Sequence, residues 1–224
     1  RVPNRVATIQ SEEVLLRNPQ TAADLLGSSG EVFIQKSQQG GGSPMIRGFA
    51  TNRLLIAVDG VRMNTAIFRS GNLQNVISLD PFATEQTELL FGPGSVLYGS
   101  DAIGGVMAFY TLTPTLADSQ DRQSSGSAAL RHASANEELT GHFDINIGEK
   151  KWAIVSSFSH NRYGDLRMGQ HGPDDYLRPF YVERIDGVDR AVSNPDPLLQ
   201  TPTGYKQTNL MQKVRFHPNT DWDF

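Results

Sequence analysis

The chain has no cysteine, which excludes a disulfide framework, a thiolate zinc site and a cysteine nucleophile. Long apolar runs are absent too. The longest are about as short as Leu54-Leu55-Ile56-Ala57-Val58, whereas a membrane-spanning helix needs roughly 20 such residues. That shortage excludes a spanning helix but leaves a barrel open, because a transmembrane β-strand needs only ~9–11 residues with alternating faces. There is no basic excess: 20 Lys+Arg against 24 Asp+Glu leave a net charge of −4, without the positive footprint of a nucleic-acid binder. No Ser/His/Asp set or carboxylate pair stands in a catalytic frame, so an enzyme is not expected. Gly92-Pro93-Gly94 and Gly99 are not followed by Lys-Ser or Lys-Thr, so the glycines are no phosphate loop. Asp174, Asp175, Asp186 and Asp189 lack the spacing of a calcium loop and read as a solvated acidic stretch. No metal site is expected. The chain opens at Arg1 without an apolar leader and stops at Phe224 inside a strand-like pattern. It is therefore expected to be a piece of a longer protein, any export signal having been removed or lying outside it.

What is present changes character near Thr113. Residues 1–113 read as a compact α+β unit. Thr21 with Asp24 three residues on is a capping-box variant, and Gly27 sits where the helix should stop. Strands are expected at 32–34, 45–47, 54–58, 85–91 and 106–111, with Asp59-Gly60 as a turn. Ser37-Gln38-Gln39-Gly40-Gly41-Gly42-Ser43 is a loop by composition. Asp80-Pro81 has the form of an N-cap followed by proline at the first helical position. Residues 114–124 make a linker. Beyond them the period becomes two: Phe143, Ile145 and Ile147 share one face, His142, Asp144 and Asn146 the other. A strand-like run covers 152–163, and Leu210, Val214 and Phe216 alternate with Lys213 and Arg215. Gly148-Glu149-Lys150-Lys151 is a short turn, while about 164–205 is a long Pro/Gly/Asp-rich connection. Short turns at one end and long loops at the other are the pattern of outer-membrane barrels, although a one-sided antiparallel sheet alternates in the same way.

Four segments in fixed order carry a resemblance. They are Thr21-Ala22-Ala23-Asp24-Leu25-Leu26, Met45-Ile46-Arg47-Gly48-Phe49, Leu55-Ile56-Ala57-Val58-Asp59-Gly60-Val61-Arg62, and Gly92-Pro93-Gly94-Ser95-Val96-Leu97-Tyr98-Gly99-Ser100-Asp101-Ala102-Ile103-Gly104-Gly105-Val106. Together they resemble the plug domain of TonB-dependent outer-membrane receptors over about residues 19–113. The resemblance implies a plug domain (1–113), a linker (114–124), and the first ~4 antiparallel strands of a transmembrane β-barrel (125–224). The complete barrel would be 22-stranded; at ~9–11 residues per strand it needs on the order of 200 residues before loops. It further implies a bacterial outer-membrane receptor that imports a scarce nutrient, an iron complex of the siderophore or haem kind, by energy coupling. Its partners would be the inner-membrane TonB complex, the nutrient and outer-membrane lipid, with no nucleic acid. The protein itself would carry no cofactor, any iron belonging to the ligand. A soluble or surface binding module with a plug-like fold is the alternative.

Under that resemblance Arg47 faces barrel-wall carboxylates and locks plug to wall, since a half-buried arginine needs such partners. Phe91 stands where relatives commonly carry a second arginine. If the orientation matches, Gln38, Gln39, Arg62, Met63, Asn64, Arg69 and Asn72 point outward and meet the ligand. Haem iron takes an axial His, Tyr or Met, yet all five histidines lie beyond residue 113. Only His171, in the long loop, is expected outside.

Overall fold

The computed structural model describes residues 5–36, 39–50, 53–63, 75–119 and 121–224. By its internal contacts the chain divides into two compact units. One comprises Arg1–Ala128, His142–Ser159 and Asn209–Phe224, the other Ala129–Gly141 and His160–Thr208.

The first unit opens with β1 (Arg5–Gln10), α1 (Ser11–Arg17) and α2 (Ala22–Gly27). Helix α2 starts where its cap predicts. The Thr21 hydroxyl accepts from the Asp24 N–H (3.3 Å) and the Asp24 carboxylate accepts from the Thr21 N–H (3.1 Å), so two orphan donors are satisfied reciprocally. Short strands β2 (Phe33–Gln35), β3 (Ser43–Ile46) and β4 (Phe49–Ala50) form a three-stranded sheet in that order. Arg47 is therefore not on a strand, as the sequence suggested. It lies in the β3–β4 turn with φ of 48° beside Gly48 at 82°, because the chain must reverse within two residues.

The central sheet adds β5 (Leu54–Val58), β6 (Val61–Arg62), β7 (Thr84–Phe91) and β8 (Gly105–Thr111), with the one-turn helix α3 (Ser95–Tyr98) between the last two. Its order is β1-β7-β8-β5-β6. Only β5 and β8 pair in parallel. Both central strands are near-continuous apolar runs, as a sheet covered on both faces requires. One face carries Leu54, Ile56, Leu89, Met107 and Phe109 against Leu25, Leu26 and Val76; the other packs Leu55, Leu90 and Val106 with Ala102 and Tyr98. Asp59 and Gly60 join β5 to β6 with φ of 49° and 78°, the positive pair that a two-residue hairpin turn demands.

Four long strands follow: β9 (Gln123–Ala133), β10 (Glu138–Gly148), β11 (Trp152–Tyr163) and β16 (Tyr205–Phe216), hydrogen-bonded in the order β16-β11-β10-β9. Period two sorts their side chains. On β10 and β11, His142 and Ser159 are 6% and 0% exposed, whereas Phe143 and Phe158 are 52% and 46% exposed. Around these positions the buried face is polar and the exposed face apolar, the inversion of a soluble sheet and the arrangement of a barrel wall in lipid. Leu210, Val214 and Phe216 continue that apolar face on β16.

In the second unit the connection after β11 has structure of its own. Strands β12 (Leu166–Arg167) and β15 (Leu199–Gln200) pair, and β13 (Phe180–Ile185) with β14 (Val188–Ser193) forms a hairpin across Asp186-Gly187. Asp165 anchors the base of this loop. Burial pushes its carboxyl up, but donors from the Thr203 N–H, the Thr201 hydroxyl and the Gly204 N–H outweigh that and hold it below the usual range. On the inward face, Glu138 accepts from Arg131 and from the Thr140 hydroxyl (2.7 Å), so the buried charge is paired.

Candidate functional site

Two sets of residues bear on function: the plug's loops and the side chains that tie plug to wall. Of the seven residues expected at the ligand, Gln38, Asn64, Arg69 and Asn72 lie outside the described residues. The structure places the other three in different settings. Gln39 has both amide atoms buried with no partner among the described residues. Arg62 pairs with Asp101, linking the β5–β6 hairpin to the glycine-rich loop before β8. Met63 packs against the plug core and donates its N–H to Ile56 (2.8 Å).

Arg47 is exposed, and its guanidinium lies over the Phe91 ring at 5.7 Å from the centroid; Arg5 lies over the same ring at 5.8 Å. Among the described residues no carboxylate stands within ion-pair distance of Arg47. Phe91, itself buried, thus serves as a cation–π platform where the sequence had suggested only a missing arginine.

A contact that the sequence did not announce joins the Asp59 turn to β16. The Thr111 N–H and hydroxyl donate to Asp59 at 2.9 and 2.7 Å. Lys213 Nζ approaches the same carboxylate at 2.9 Å and donates to the Thr111 carbonyl at 3.3 Å. Burial pushes the Asp59 carboxyl up, but the bonds from Thr111 and Lys213 outweigh it, and the group is held below its ordinary 3.8. A depressed folded-state value means the contact is fully present above that ordinary value and lost as pH falls through the lower folded one. Asp59→Asn is therefore expected to lower the unfolding midpoint of the receptor at neutral pH. Its gap from wild type should close below pH ~4, as thermal melts across pH would show. A gap independent of pH would remove the ion pair from the account.

A mixed sheet domain tied by polar contacts to long antiparallel strands with outward apolar residues is what a plug packed on barrel-wall strands presents. A family model described as the TonB-dependent Receptor Plug Domain matches residues 1–106. The chain is 36% identical to the vitamin B12 transporter BtuB of Vibrio vulnificus, over 97% of this chain and 35% of the relative. It is 30% identical to the hemin receptor of Yersinia pestis, over 77% of this chain and 25% of the relative. Its fold matches that of the copper transporter OprC with a TM-score of 0.70 at 19% identity, covering 96% of this chain and 28% of that one. The chain thus spans about a third of the length of its curated relatives or less. It belongs to the TonB-dependent receptors of the bacterial outer membrane.

Proposed function

We propose that this chain is the plug and first wall strands of an energy-coupled importer that takes up a scarce nutrient, an iron complex such as a siderophore or haem. The observation that carries the reading is the polar tie between the plug and the inner side of the wall strands. Hydrogen bonds and one partly exposed ion pair can be exchanged for water at modest net cost, so the plug can be held at rest and still be moved. In this reading the inner-membrane TonB complex supplies the pull, and Arg47 turns to wall carboxylates of the complete barrel. Cargo enters from the side of Gln38, Gln39, Arg62, Met63, Asn64, Arg69 and Asn72. The relatives' names point to different cargoes, vitamin B12 and hemin among them. The absence of histidine from residues 1–113 favours a cargo held by hydrogen bonds over one held by plug-borne axial ligation. Titration of the full-length receptor with a ferric siderophore, haem and vitamin B12 tests this. One of the two iron complexes should bind, and the M63A/N72A double variant should bind it at least about tenfold more weakly. Unchanged affinity would remove both residues from the site, and binding of vitamin B12 alone, or of none of the three, would overturn the cargo class.

A further inference from the structure

The turn that opens β7 makes a second contact with the wall, and it is fully buried. Asp80 caps the Pro81–Ala83 turn by accepting from the Phe82 N–H at 3.0 Å. Its other carboxylate oxygen accepts the hydroxyl proton of Ser159 on β11, a residue 79 positions away and 0% exposed. Ser159 in turn lies 2.7 Å from His142 Nδ1 on β10, and His142 Nε2 lies 3.1 Å from Asp144, which also accepts from the Ser127 hydroxyl of β9. Phe82 stacks on the imidazole with centroids 5.0 Å apart and planes at 19°. The side chains of His142 and Asp80 are 2% and 5% exposed.

The composition is that of a Ser-His-Asp triad, but the serine has no access to a substrate and its only proton goes to Asp80. The imidazole lies between two carboxylates, with Asp80 at 4.0 Å. The one member contributed by the plug is Asp80; the rest is wall.

We propose that Asp80, Ser159 and His142 form a retention latch that holds the 80–84 turn of the plug against the wall in the resting receptor. The proposal rests on the importer reading for its purpose. Its test is read without any cargo. In the full-length receptor in outer membranes, Ser159→Ala leaves the Phe82 cap intact and removes the link. It should raise entry of a hydrophilic dye that the resting receptor excludes by about tenfold, the effect of losing a buried bond to a charged group. Ser159→Thr, which keeps the hydroxyl, should restore exclusion, and both variants should remain heat-modifiable as closed barrels are. These 224 residues contain no cysteine; with any cysteine elsewhere in the full-length receptor replaced by serine, a D80C/S159C pair reports proximity directly: oxidation should form the disulfide. Normal exclusion by Ser159→Ala, or no disulfide in an assembled receptor, overturns the latch. Dye entry and disulfide as expected, with no cargo taken up by the wild type, would keep the latch and reject the importer.

Discussion

Phe109→Ala should destabilise the plug by about 3–5 kcal/mol, the range for deleting a buried aromatic ring. Phe109 is 1% exposed on β8, with Val58 of β5 on one side and Thr87 of β7 on the other. Its ring sits in the core shared with Leu54, Ile56 and Met107, so no solvent can refill the cavity favourably. Domains of this size keep only ~5–15 kcal/mol in hand, and a loss of that order approaches global unfolding of the plug. Denaturant titration of the full-length receptor, followed by protease cleavage within residues 1–113, measures it. A loss below about 1 kcal/mol, the worth of little more than one buried methylene, would mean that the ring is not where the core needs it.

Gly104→Ala is expected to be nearly as damaging for a different reason. A Cβ at residue 104 would stand 2.3 Å from Phe49 Cβ and 2.6 Å from its Cγ. Those atoms are the root of the side chain, so rotation about χ1 cannot clear the Cβ. Either β4 or the loop before β8 must shift, at a cost of about 1–3 kcal/mol or more. The same shift would disturb the Gly104 N–H bond to the Arg53 carbonyl (2.8 Å). The same titration should show a lower plug midpoint than wild type, and Phe49→Gly in the Gly104→Ala background, which removes the clashing Cβ, should recover part of it. No recovery would place the strain elsewhere.

Local chemistry could be read from the chain itself. Thr21 and Asp24 cap α2, Asp59-Gly60 turns, and Asp80-Pro81 opens a helical turn, because each device closes within four residues. The alternation of 141–147 fixed the faces of β10, and the glycine-rich segment carried the family. The losses came where tertiary context decides. Strand β1 has no strong period of its own and is held as a sheet edge by β7. The β13–β14 hairpin lies in a stretch whose prolines and aspartates read as irregular. Arg47 sits next to the strand-like Met45-Ile46, yet Gly48 imposes a turn on it. Asp80 could be seen as a cap, and His142 and Asp144 as one face of a strand. Nothing in the spacing of residues 80, 142 and 159 says that they meet.

Uptake by cells bearing the full-length receptor tests energised import most directly. Radioiron-labelled siderophore, radioiron-labelled haem and labelled vitamin B12 would each be offered to a deletion strain and to its complemented form. One cargo should accumulate saturably only in the complemented cells, and an uncoupler of the proton-motive force should stop accumulation while leaving surface binding in place. Accumulation that continues undiminished under the uncoupler, or no receptor-dependent uptake of any cargo, would contradict it.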